Sequence, residues 1–395
     1  MKCSTNGRYF TNDSGAPEFW LGDTQWQLFR SFSIEDAVAT LENRKRHGFT
    51  AIQVMVLGVD IEPNVNGDLP FEHNDPLTPN ERYFHHVDRI LERAAEIGDV
   101  TIVLGVYHMR YTEGCFTREN ARGWAHWLGR RYRDTPGLVW SMYPAARPEY
   151  LSITREIASG LAEGDGGNHL ITVHPDPSPA SSSTLFHDEE WLSFNTIQTF
   201  KEVEKIVPMT QADYLRTPIK PVVMAEGAYE AGTEYGFEVT PLWVRRQAYY
   251  TCFAGGHHSY GHNDSWRLLP TWREALDAPG AVQMGVLKRI FLSLPEWWEL
   301  VPDMSLLADG KRTDGQILTL AAAHSRGEWA AVYAADASSF SVNIDALDGG
   351  TYHARWIDPR DGATVETSVV SGGIRTFTSP EGMEDGVLTL IRSGT

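Results

Sequence analysis

Apolar and polar positions change rhythm along this chain in a regular way. Between residues 18 and 302, short continuous apolar runs alternate with longer stretches of helical periodicity. The runs are Glu18–Asp23, Phe49–Val56, Val100–Val106, Leu138–Tyr143, His169–His174, Phe194–Gln198, Pro221–Glu226 and Gly256–Tyr260. An apolar run bounded by Gly or Pro reads as a strand buried on both faces. The clearest helix is Glu81–Ile97, with Phe84, Val87, Leu91 and Ala94 on one side. Another begins at the capping residue Ser33, with Asp36 three positions on, and closes at Gly48. Further helices are predicted over residues 118–133, 150–163, 201–215, 242–253 and 281–294, and a Pro/Ser-rich loop follows the fifth run. Eight strands, each followed by helix or loop, predict an α/β chain built as a (β/α)8 TIM barrel over residues 18–302. An open doubly wound sheet is the alternative arrangement of the same elements.

The flanks have a different texture. Residues 1–17 predict a β-hairpin turning at Asn12–Gly15. Beyond Pro302 helical periodicity stops, and short alternating runs such as Trp329–Tyr333, Tyr352–Ile357 and Val387–Ile391 are separated by Asp/Gly turns. That pattern predicts a small antiparallel β-sandwich over residues 303–395.

A barrel gathers the C-terminal ends of its strands at one face, where its active site lies. The most telling strand is the seventh, Lys220-Pro-Val-Val-Met-Ala-Glu-Gly-Ala-Tyr-Glu230, which delivers the carboxylate of Glu226 at its end. The other ends carry Asp23, Gln53, His108, Tyr143, His174, Gln198 and His262, and Trp26, Tyr229, Asp264 and Trp266 lie just beyond. Carboxylates, amides, imidazoles and aromatics converging on one pocket suit a polyhydroxylated ligand. The long polar loop Gly58–Asn80 sits where a barrel keeps its active-site loops. The chain has no Gly-rich phosphate loop and no Gly-x-Ser-x-Gly elbow. His257 and His258 alternate faces of a strand, so the histidines do not form a metal-binding pair. No metal and no cofactor are therefore expected.

Charge narrows the partners. A formal net charge of −18 disfavours nucleic acid and anionic membranes and favours a neutral ligand. The three cysteines form no framework, and the start of the chain shows no apolar leader, so a reducing, cytoplasmic setting is the expectation.

Phe19-Trp-Leu-Gly-Asp-Thr-Gln-Trp26, Gly48–Gln53, His169–Pro175, Trp191–Gln198, the seventh-strand stretch and Tyr260-Gly-His-Asn-Asp-Ser-Trp266 together resemble the apiosidase-like glycoside hydrolases. Trp356-Ile-Asp-Pro-Arg-Asp-Gly362 resembles the collagen-binding-like sandwich that follows such barrels. The resemblance implies a glycosidase acting on a small neutral carbohydrate, a furanose-type sugar at a chain end or side chain. It implies Glu226 as one of two catalytic carboxylates. The family's second acid follows the fourth-strand tryptophan, and here Ala145 stands in its place. Glycoside hydrolysis needs a proton donor as well as a nucleophile or base. Glu149, just past the altered loop, is the expected relocated acid, with Asp23, Asp264, Asp176 and Glu113 as further candidates. Two other readings stay open: a barrel that binds sugar without cleaving it, and a sugar isomerase or lyase using His174 or Glu226 as base.

Overall fold

The computed structural model describes residues 1–395 apart from residues 144–147, 179, 310–314, 348 and 395, and apart from the side chains at 109, 112, 113, 366 and 367. Eight parallel strands form its centre: β1 (Leu21–Thr24), β2 (Ala51–Met55), β3 (Thr101–Gly105), β4 (Leu138–Met142), β5 (Leu170–Val173), β6 (Asn195–Phe200), β7 (Val222–Gly227) and β8 (His257–Gly261). An outer helix follows each: α1 (Ile34–Arg46), α2 (Glu81–Ile97), α3 (Arg118–Tyr132), α4 (Leu151–Asp165), α5 (Ser182–Phe186), α6 (Ile206–Tyr214), α7 (Pro241–Phe253) and α8 (Pro279–Leu292). The short α5 lies where a loop was expected. Ser181 caps it reciprocally with Thr184, a local signal the Pro/Ser-rich composition hides.

Strand order runs β5-β4-β3-β2-β1-β8-β7-β6. Only a ring gives that order, which rules out the doubly wound sheet. The last seam, β5 to β6, is sewn by mixed contacts instead of a regular ladder. Ser193 donates its backbone N–H to Ile171 O at 2.8 Å, and Thr172 Oγ1 donates to Phe194 O at 2.8 Å.

Alternation along the strands separates two cores. Outward residues such as Leu21, Ile52, Val54, Ile102, Ile197 and Met224 pack under the helices. Inward residues Ala51, Val103, Val139 and Val223 fill the base of the barrel with Trp20 and Phe194. Phe10 plugs that base from below, its ring 4.9 Å from Trp20. It comes from a three-stranded antiparallel sheet of Lys2–Cys3, Phe10–Thr11 and Pro17–Glu18, one strand more than the expected hairpin.

The C-terminal region holds a six-stranded and a three-stranded antiparallel sheet. Their shared core includes Phe340, Trp356, Phe377 and Leu388. A buried ion-pair cluster fastens it to the barrel. Arg245 on α7 grips Asp385 with Nε, 2.9 Å from Oδ2 and 3.1 Å from Oδ1, and with Nη2, 2.8 Å from Oδ1. Tyr333 donates to Asp385 Oδ2 at 2.8 Å, and its ring stacks on Tyr249 of α7 at 4.5 Å. Among the described residues no helix is long and apolar enough to cross a membrane.

Candidate active site

A pocket of about 140 Å³ opens at the C-terminal face of the barrel. Its walls include Trp26, His108, Tyr143, Phe200, Tyr229, Tyr235 and Trp266, and among the described residues its carboxylates are Glu226 and Glu234.

Strict alternation would turn Glu226 out toward the helices, on the side of Met224. A bulge prevents this. β7 pairs Met224 with Ile197 and then Glu226 with Gln198, which leaves Ala225 unpaired in the ladder. The extra residue resets the alternation and brings Glu226 inward. The freed Ala225 carbonyl accepts from Gln53 Nε2 at 2.8 Å across the barrel.

Glu226 is buried, and Gln198 Nε2 donates to its Oε1 at 2.8 Å. Tyr229 also hydrogen-bonds to it, and Trp26 Nε1 donates to the Tyr229 hydroxyl at 2.9 Å. Burial outweighs these donors and, with a contribution from the charge of Glu234, pushes the carboxyl up from 4.5 to about 7.

On the other side lies His174, its Nε2 3.6 Å from Glu226 Oε2. Its Nδ1 sits 3.1 Å from Pro175 O, which can only accept, so the ring proton is on Nδ1. Nε2 therefore turns a lone pair toward the carboxyl, an arrangement that favours a proton on Glu226. Burial holds His174 down at about 3 and His108 at about 4, so both rings are neutral. Tyr143 links the two imidazoles, stacked on His108 at 5.0 Å and edge-on to His174 at 4.4 Å.

Of the strand-end residues, the structure gathers Trp26, His108, Tyr143, His174, Gln198, Glu226, Tyr229 and Trp266 around this space. Gln53 lies beneath them as a barrel tie, donating also to Thr24 Oγ1 at 3.1 Å. Asp23, His262 and Asp264 lie elsewhere. Asp23 shares the outward parity of Leu21 and is fully buried 3.7 Å from Arg44 of α1. His262 follows the inward Gly261 and caps a short helix, its Nδ1 accepting from Asp264 N–H at 3.1 Å. Asp264 turns to Thr271 Oγ1 at 2.6 Å. Glu149 is exposed in the turn before α4 and is not among the described residues that line the pocket. Ala145 and the Glu113 side chain lie outside the described residues.

Sequence reasoning passed over Phe200, Glu234 and Tyr235. Phe200 ends β6 with φ at 54°, a strained setting for an aromatic and one that occurs at binding sites. Glu234 belongs to the loop directly after β7, so the rule that led to Glu226 could have reached it. Glu230, closer in sequence, is structural: Tyr260 donates to it at 2.6 Å and Gly280 N–H, at the start of α8, at 3.0 Å.

One other cluster has the composition of a metal site. Ligand atoms of Glu296, His324 and Glu328 lie within 4.8 Å of one another. Arg326 pairs with both carboxylates, and its backbone N–H donates to His324 Nδ1 at 3.1 Å. The proton of the neutral ring then sits on Nε2, the atom that would have to ligate. The cluster is an ion-pair junction.

Comparisons with known proteins agree with the geometry. Residues 4–299 match the family described as apiosidase-like, catalytic domain, and residues 301–391 match a collagen-binding domain of a collagenase. A glycoside hydrolase family 5 structure from Bacteroides vulgatus superposes with a TM-score of 0.91 at 25% identity, covering 100% of this chain and 94% of that one. A second structure, titled glycoside hydrolase, gives 0.91 at 26% identity, with 100% and 97% covered. A β-L-arabinopyranosidase from Geobacillus stearothermophilus shares the fold at a TM-score of 0.58 and 11% identity, with 95% and 97% covered. No curated protein matches the chain. With three-quarters of its length inside one family match and a carboxylate-bearing pocket at the barrel mouth, the chain belongs to the apiosidase-like family and is a glycosidase.

Proposed function

We propose that the pocket cleaves the glycosidic bond of one terminal or side-chain sugar, with Glu226 as nucleophile or general base. The observation that carries this is the buried carboxyl of Glu226, held between Gln198 and Tyr229 in a pocket walled by aromatic rings. Aromatic faces stack on sugar rings, and the hydroxyls find partners in imidazole, amide and phenol groups. No lysine or arginine is among the described lining residues, and two carboxylates are, so an anionic sugar would be repelled. The family name makes apiose, a branched furanose, the first sugar to try, and arabinofuranose the second.

This role requires Glu226 to be ionised, which fixes the sign of the pH response. Activity in kcat/KM should rise with pH through a limb near 7, because the free enzyme holds a proton there below that value. Tyr229→Phe removes a donor that favours the carboxylate. Losing a hydrogen bond to a charged group of about 1.5 kcal/mol moves the limb up by about one pH unit. A profile on aryl furanosides between pH 5 and 9 measures both. A limb that falls with pH near 7, or one that Tyr229→Phe leaves in place, would count against the role given to Glu226.

A further inference from the structure

Glycosidases need a second carboxylate beside the nucleophile or base. We propose that Glu234, on the loop joining β7 to α7, is the proton donor to the leaving oxygen. This rests on the reading that Glu226 acts at the sugar carbon.

Position argues for it first. Glu234 and Glu226 are the carboxylates among the described residues that line the pocket, and the charge of Glu234 acts on Glu226. Glu226 is at the buried end, whereas a third of the Glu234 side chain is exposed. The leaving group departs, and water arrives, through the open side. A proton donor is useful there.

Charge links the two groups as well. The charge of Glu234 contributes to raising the Glu226 carboxyl, so the two carboxylates act on each other across the pocket.

The loop is also held in place. Arg267 Nη2 contacts Glu234 Oε1 at 3.4 Å, and the same guanidinium lies over the Trp266 ring at 4.8 Å. The next residue, Tyr235, accepts from Tyr229 N–H at 3.0 Å through its hydroxyl, and its carbonyl accepts from Lys201 Nζ at 3.1 Å. Glu234 is thus anchored to both the strand end and the pocket wall.

In the step, the bond from the anomeric carbon to the leaving oxygen breaks with its electron pair on that oxygen. The Glu234 proton passes to the same oxygen. The carbon receives an electron pair from Glu226, or from a water that Glu226 deprotonates, and water later restores the proton to Glu234.

The test compares leaving groups in Glu234→Gln, with folding checked by thermal melting. On a methyl glycoside, which needs protonation, kcat/KM should fall on the order of 10²- to 10⁴-fold. On the dinitrophenyl glycoside of the same sugar, whose leaving group needs little help, it should fall less than about tenfold. Equal losses on both substrates, or none on either, would overturn the donor role. If the wild-type protein cleaves no glycoside in a panel of aryl furanosides and pyranosides, the underlying hydrolase reading fails instead.

Discussion

Glu226→Gln is expected to lose turnover by on the order of 10³-fold or more and to melt at a higher temperature than the wild type at pH 8. The first effect follows from replacing the reacting carboxylate with a neutral isostere. The second follows from burial. Folding raises the Glu226 carboxyl from 4.5 to about 7. A group raised in the folded state stabilises it fully below the unfolded value and loses that contribution as pH climbs through the folded value. At pH 8 the buried charge costs roughly 3 kcal/mol relative to pH 4. Glutamine has no charge to bury and still offers Gln198 an acceptor. A variant that is inactive and less stable would mean that Glu226 holds the barrel together instead of serving the pocket. Such a gain in stability on losing function is what a strained, preorganised site predicts.

The second large effect lies far from the pocket. Asp385→Ala should destabilise the protein by about 3–5 kcal/mol, because it leaves the Arg245 guanidinium buried without its carboxylate. Arg245 is 1% exposed and Asp385 0% exposed. Glu384, which also reaches Arg245 at 3.0 Å, is half-exposed and compensates only in part. Replacing both partners together, Arg245→Met with Asp385→Leu, should recover much of the loss, since an apolar pair of similar volume carries no unpaired charge. Denaturant unfolding of the single and double variants checks this. A loss under about 1 kcal/mol for the single variant would show that water reaches the cluster.

How much of this was legible from the sequence turns on side-chain parity. The eight strands were readable because both faces of each are covered, so their apolar runs stand out. The convergence of strand ends was also readable, but which ends point inward was not. Asp23 and His262 share the outward faces of their strands and serve the helix side, one beside Arg44 and the other at a short helix start. Counting alternate residues from Leu21 would have excluded Asp23. The same counting would have excluded Glu226, wrongly, because the bulge at Ala225 is a tertiary feature that no periodicity reveals. Nearness in sequence to the fourth-strand loop points to Glu149, whereas the carboxylate that lines the pocket with Glu226 among the described residues is Glu234, eight residues further on. The C-terminal strands Thr364–Val370 and Ile374–Phe377 were missed because they lie at sheet edges, with Val365, Val369 and Ile374 exposed and little apolar pattern to read.

The most direct test of the central claim is a crystal structure of Glu226→Gln soaked with an aryl furanoside that the wild type cleaves. The sugar ring is expected among Trp26, Tyr143 and Trp266, with its anomeric carbon about 3–3.5 Å from the side chain at position 226. A sugar seated instead in the aromatic slot at the opposite end of the barrel, between Tyr9, Phe19 and Trp297, would contradict the assignment.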